Sequence, residues 1–268
     1  MTQEQRLDEL VERFMRDSGE YVNLKVGNSV EEKRRALRSL MNIRLPRALD
    51  AETLRMQDEY LQARAAEKGV VRVEDIPVTA ADPRIAIWQG DITRLAADAI
   101  VNAANSQMLG CFVPCHACID NCIHTFAGVQ LRAECGRQMD LLRGRYGRGY
   151  EQPTAVPLLT DGYNLPAKKV VHIVGPIVQG RLTKALERDL ADCYANTLDL
   201  CAKNDLKTVA FCCISTGVFH FPNGRAAEIA VKTVRDWLAR HGNAVERVIF
   251  NVFKDEDKQL YEKELRRV

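Results

Sequence analysis

From about residue 85 the chain alternates short apolar runs with longer amphipathic stretches, and this alternation constrains the fold more than any other feature. Candidate strands fall at 85–88, 99–101, 155–159, 170–174, 209–213 and 248–252, with helical patterns near 118–139, 183–203, 224–241 and 254–267. Strands interleaved with helices pair through crossovers, so the pattern predicts an α/β chain, a three-layer α/β/α sandwich around a mixed sheet. The first 72 residues have a different grammar, charge-rich and helical, with Leu7, Leu10, Val11 and Phe14 on one apolar face and Leu37, Leu40 and Met41 on another. A further helix over 51–68 stops at Gly69. The expected organisation is an N-terminal helical extension, 1–72, followed by the sandwich, 73–268. The Gly- and Arg-rich stretch 143–149 reads as an exposed loop.

Composition narrows the partners. Lys plus Arg number 38 against 36 acids, a formal charge of +2, so the basic excess of a duplex-binding protein is missing and no nucleic acid is expected. There is no apolar run long enough to span a bilayer and no leader-like N-terminus, which predicts a cytoplasmic protein without a membrane partner. Nine cysteines in such a chain argue against a disulfide framework and for reduced thiols, metal or catalysis. Cys111, Cys115, Cys118 and Cys122 crowd into twelve residues, whereas Cys193, Cys201, Cys212 and Cys213 lie in apolar surroundings where buried thiols are commonplace.

In open α/β sheets, ligands gather beyond the carboxyl ends of the strands. Three segments leave candidate strands with suitable chemistry. Gln89-Gly90-Asp91-Ile92-Thr93 offers a carboxylate to an exocyclic amine and the next amide to a ring nitrogen, although Asp91 can equally cap a short helical turn. Asn102 and Asn105, in Val101-Asn102-Ala103-Ala104-Asn105-Ser106, carry amides that can donate to and accept from a ribose diol. Ser215-Thr216-Gly217-Val218-Phe219 leaves successive amides for phosphate oxygens, with Phe219 able to pack on a sugar.

In this order, and together with Ile119-Asp120, Ile123-His124, Gly162-Tyr163-Asn164-Leu165-Pro166 and His172-Ile173-Val174-Gly175-Pro176, these segments resemble the macrodomain family from about residue 85 onward. The resemblance implies ADP-ribose as ligand. It would put Asp91 and the Ile92 amide on adenine, Asn105 with Asn102 on the distal ribose, and Ser215, Thr216, Gly217, Val218 and Phe219 on the diphosphate. Cys118, Ile119 and Asp120 would also touch the substrate.

Most macrodomains carry a run of glycines before the Ile/Val-Asp pair, but this chain has Gly110-Cys111-Phe112-Val113-Pro114-Cys115-His116-Ala117-Cys118-Ile119-Asp120. Cys-x4-His-x-Cys can wrap one zinc ion with three ligands and leave a fourth position for water or substrate. The loop resembles that of the microbial zinc-dependent macrodomains, protein-ADP-ribose hydrolases linked to a mono-ADP-ribosylating sirtuin. In that family's pattern the ligand positions correspond to Cys111, His116 and Cys118. Cys115 also has a metal-like spacing to Cys118, so a set that includes it stays open. The expected activity is zinc-dependent removal of mono-ADP-ribose from modified proteins, with water attacking at the distal ribose, Asp120 orienting or deprotonating it and Asn105 fixing the sugar. The alternatives are O-acetyl-ADP-ribose deacetylation and a non-catalytic ADP-ribose reader. His124 and His172 are expected to be core histidines and Trp88 a core aromatic.

Overall fold

The computed structural model describes residues 1–267, which divide into two compact units, each with its own packing. The first unit comprises residues 1–69, 109–150 and 163–165. Its helices are α1 (Gln3–Ser18), α2 (Val30–Ile43), α3 (Ala51–Lys68), α4 (Ile119–Ala127) and α5 (Val129–Tyr146). The starts of α1 and α2 are written in the sequence as capping boxes, Thr2 with Gln5 and Ser29 with Glu32, each satisfying two otherwise orphaned amides. Asp50 caps α3 through the Thr53 amide, and Gly69, at φ 79°, ends it. The two expected apolar faces meet: Leu7, Leu10, Val11, Phe14, Leu37, Leu40 and Met41 are buried in one core with Tyr60, Leu61 and Val129. Residues 163–165 are tied in by Asn164, whose side-chain amide donates to the Asp58 carboxylate (2.7 Å) and the Ala127 carbonyl (3.0 Å).

The second unit, residues 70–108, 151–162 and 166–267, holds the sheet. A two-stranded parallel pair joins β1 (Val71–Arg72) to β3 (Leu95–Ala96). The main sheet contains β2 (Ile85–Gln89), β4 (Ala99–Ala104), β5 (Leu158–Asp161), β6 (Lys169–Val174), β7 (Thr208–Phe211) and β8 (Arg247–Val252) in the order β2-β8-β7-β4-β6-β5. All neighbours are parallel except β5, which runs antiparallel at one edge, so the sheet is mixed. Helices α6 (Lys184–Lys203), α7 (Asn223–His241) and α8 (Asp255–Arg266) flank it, completing the expected α/β sandwich architecture. Because β2, β4 and β7 are mutually parallel, the segments that leave them all start from the same edge of the sheet.

Three local expectations are corrected. The helical pattern at 118–139 is two helices, broken at Gly128, whose φ of 98° and closeness to the Gln57 and Gln130 side chains exclude a side chain there. The stretch 143–149 is not all loop: α5 continues to Tyr146 and stops at Gly147, because arginine favours helix and an interior glycine costs only about 1 kcal/mol. The strand expected at 155–159 begins instead at Leu158, since Ala155 takes a left-handed conformation (φ 61°) and Pro157 precedes the ladder.

Candidate active site

The turn after β7 leads from the buried Ser215 to the exposed Gly217 and Val218. Ser215 has φ 65°, and the turn closes on itself through Phe221 N–H to the Ser215 carbonyl (3.0 Å), His220 N–H to the Gly217 carbonyl (3.0 Å) and the Thr216 hydroxyl to the Cys213 carbonyl (3.0 Å). Val178 N–H donates to the Phe219 carbonyl at 2.9 Å, pinning the turn to the segment after β6. The amides of Ser215, Gly217, Val218 and Phe219 donate to nothing among the described residues, and neither does the buried Ser215 hydroxyl. Free N–H donors on neighbouring residues ahead of a helix, α7, make a cradle that can receive phosphate oxygens. Gly175 makes the cradle possible: a Cβ at that position would lie 2.1 Å from Ser215 Oγ.

The other two segments resolve differently. Asp91 caps the short helical turn Ile92–Arg94, its carboxylate accepting from the Thr93 amide (3.0 Å) and hydroxyl (2.6 Å). It is half-buried, and the Trp88 ring lies against Gly90 just before it, so Trp88 is only partly in the core. Ile92 is buried. Asn105 forms an Asx turn, Oδ1 accepting from Gln107 N–H at 3.0 Å, and Ser106 and Gln107 both bond the Glu151 carboxylate. Asn102, expected beside Asn105 on a ribose, is instead fully buried in β4 with Nδ2 3.1 Å from His172 Nδ1. Three residues along a strand reverse the face, which turns Asn102 into the sheet. His172 is the expected core histidine: Nε2 sits 3.0 Å from the Thr160 hydroxyl, and burial pushes its pKa down to about 3, so it is neutral. Cys193, Cys201 and Cys212 are buried as expected, and burial pushes their thiols up to about 12.

In the first unit the loop 109–118 wraps back on itself ahead of α4. Cys111 Sγ lies 3.5 Å from His116 Nδ1, and these atoms and Cys118 Sγ all fall within 4.8 Å of one another. Tetrahedral ligands at zinc distances stand about 3.3–3.8 Å apart, so the donor set fits one ion with little adjustment. Burial pushes the Cys118 thiol up to about 12, so it stays protonated at neutral pH unless a cation compensates its charge. Cys118 also caps α4, Sγ accepting from the Asn121 amide at 3.4 Å. Cys115 is turned away: at φ 54° its sulfur faces the Ser39 hydroxyl (3.2 Å) and the Arg35 carbonyl (3.4 Å) of α2. Cys122 meets Arg38 Nη2 at 3.5 Å and likewise lies outside the trio. Asp120 is buried in the first turn of α4, 3.6 Å from His124 Nε2, and Ile119 precedes it.

Sequence reasoning assigns no role to the residues that hold this loop. Asn121 Nδ2 donates to the Val113 carbonyl (2.9 Å) and the Cys111 carbonyl (3.4 Å), while its Oδ1 accepts from Arg38 Nη2 (2.7 Å). Asn42 of α2 accepts from the Cys115 amide at 2.9 Å. Arg132, buried in α5, spans from the end of α2 to the loop: it donates to the carbonyls of Met41 (3.2 Å), Asn42 (2.6 Å) and Arg44 (2.7 Å), then to those of Leu109 (2.7 Å) and Cys111 (3.2 Å). A signal existed, because Arg132 shares the stripe of Val129, Cys135 and Met139, where an ordinary helix puts apolar side chains.

The Macro domain sequence family matches residues 101–230. A Treponema medium protein named protein-ADP-ribose hydrolase is 48% identical over 268 residues, covering 98% of this chain and 99% of its own. One of the same name from Staphylococcus aureus (strain Mu50) is 42% identical over 263 residues, covering 98% and 96%. Among solved structures, the Trypanosoma brucei macrodomain in complex with ADP-ribose superposes with a TM-score of 0.64 at 30% identity, covering 88% of this chain and 96% of that one. The chain belongs to the macrodomain family. No described helix is long and apolar enough to cross a membrane.

Proposed function

We propose that this protein is a zinc-dependent hydrolase that removes mono-ADP-ribose from modified proteins. The observation that carries the reading is the convergence of Cys111, His116 and Cys118 in a chain whose full-length relatives are named protein-ADP-ribose hydrolases. The unbonded amides of 215–219 suit the diphosphate, the Asp91 carboxylate and Ile92 amide suit adenine, and Asn105 suits the distal ribose. Cys111, His116 and Cys118 would hold the zinc, which when bound supplies Lewis acidity and lowers the pKa of a coordinated water.

The chain's own residues do the rest. Asp120, held rigid and buried at the start of α4, is the base that orients the attacking water and takes its proton as the bond from the distal ribose to the protein breaks. His124, 3.6 Å away, steadies that carboxylate. The free substrate side chain and ADP-ribose leave as products, and a mono-ADP-ribosylating sirtuin is the class of enzyme that would supply the substrate.

The test is release of ADP-ribose from modified proteins of known linkage, with and without a zinc chelator, beside the variant Cys118→Ala. Both chelation and the substitution are expected to lower release at least about 100-fold, while calorimetry still reports ADP-ribose binding. Zinc-free protein that turns over at full rate would sink the zinc assignment. Tight binding with no release from any linkage would make the protein a reader.

A further inference from the structure

The first unit contains a cavity of about 300 Å³ whose character is unlike that of the rest of the molecule. Four arginines line it, Arg34, Arg35 and Arg38 from α2 and Arg64 from α3. One carboxylate, Glu67, answers two of them, Arg34 and Arg64. Arg38 gives its donors to neutral acceptors only, the Asn121 side chain, the His116 carbonyl and Cys122. Arg35 has no side-chain partner among the described residues. Like charges at i and i+4, as in Arg34 and Arg38, are mutually destabilising, and Arg38 meets that repulsion with neutral acceptors only. The floor is apolar and aromatic: Met41, Leu61, Tyr60 and Phe126. Of the floor, Tyr60 and Leu61 are only 4% exposed.

We propose that this cavity binds a small aromatic carboxylate. The volume suits a drug-sized or smaller molecule rather than a polymer. Guanidinium groups pair with a carboxylate in a two-pronged fashion and stack on aromatic faces, and the Tyr60 and Phe126 rings offer the ligand's ring a matching floor. Because Arg38 also grips the His116 carbonyl at 2.8 Å, the occupant would sit one side chain away from the metal-ligating loop.

The test uses the full chain and three probes in calorimetry: 2-naphthoate, the neutral 2-naphthalenemethanol and acetate. Naphthoate is expected to saturate a single site, with the neutral analogue and acetate each at least about tenfold weaker, since one lacks the charge and the other the ring. Arg35→Glu, at an exposed position, should weaken naphthoate at least about tenfold while leaving the thermal unfolding midpoint in place. Arg64→Glu gives the same reading from the opposite helix. Acetate as tight as naphthoate, an uncharged analogue as tight as naphthoate, or undiminished naphthoate binding in both variants would overturn the proposal.

Discussion

The two loops to which we assign the chemistry are built in opposite ways. The loop at 109–118 is held from outside: Arg132, Asn121 and Asn42 satisfy its carbonyls and its Cys115 amide, and α2 and α5 supply the braces. The turn at 213–221 is held mainly by its own backbone, with Val178 N–H on its Phe219 carbonyl, and among the described residues four of its amides and the Ser215 hydroxyl have no partner. Metal ligands must stand at fixed distances before the ion arrives, and fixing them takes surrounding hydrogen bonds. An anion cradle needs the reverse, donors kept from every competing acceptor. The N-terminal helices therefore do more than fill out a core, because α2 is the brace on which the loop at 109–118, the proposed metal-ligating loop, is built.

The largest expected effect breaks the brace. Arg132→Met removes a buried cation that serves five carbonyls, of which that of Cys111 keeps a long bond from Asn121, and should cost about 3–5 kcal/mol. Burial already pulls the Arg132 pKa down to about 10, with Asp120 as its opposing charge. Denaturant unfolding should show the loss, and metal analysis should show zinc depleted. An unfolding curve that matches the parent protein would mean that the loop is not held by α5.

The cradle breaks differently. Gly175→Ala puts a methyl 2.1 Å from Ser215 Oγ, so the turn must shift, and ADP-ribose affinity should fall roughly 100-fold by calorimetry. Zinc content is expected to stay at the parent level. Equal loss of zinc and ADP-ribose would erase the contrast between the two loops.

Asn121→Ala sharpens the comparison, since it removes bonds to the Cys111 and Val113 carbonyls but touches no ligand atom with its side chain. Its backbone amide, which donates to Cys118 Sγ, remains. Zinc affinity should drop about 10–100-fold, as for other outer partners of metal ligands, with little change in global stability. Competition with a chromogenic chelator measures it.

How much of this was legible follows from how local each feature is. The apolar faces of α1 and α2 and the strand and helix alternation are set within a few residues, and they were readable; the capping boxes at Thr2 and Ser29 are as local, and sequence reasoning passed over them. The Cys-x4-His-x-Cys spacing is equally local, the family resemblance picked Cys111, His116 and Cys118 out of the crowded loop, and their ligand atoms converge. The break at Gly128 was hidden because the apolar period runs through it on both sides, while its left-handed φ and the approach of Gln57, 71 residues earlier in the chain, favour a glycine. Asn42 was silent for the same reason, since its partners Cys115 and Thr125 lie 73 and 83 residues away, and the polar interruption of the α5 stripe marked Arg132 without naming its partners on α2, up to 91 residues away. Asn102 misled through symmetry of type: it looks like Asn105, yet the pleat sends the two side chains to different places.

The smallest effect separates the two readings of the crowded cysteines. Spacing alone makes Cys115 a candidate ligand, but its left-handed backbone swings the sulfur onto α2, against Ser39 and the Arg35 carbonyl. Its amide, not its thiol, serves the loop, donating to Asn42. Cys115→Ser keeps that amide and offers a hydroxyl of similar reach, so zinc stoichiometry, zinc affinity and ADP-ribose release should all stay within about twofold of the parent. A serine variant that loses zinc as Cys118→Ala does would place Cys115 among the ligands, and the brace through α2 would then have to release its thiol before the ion binds.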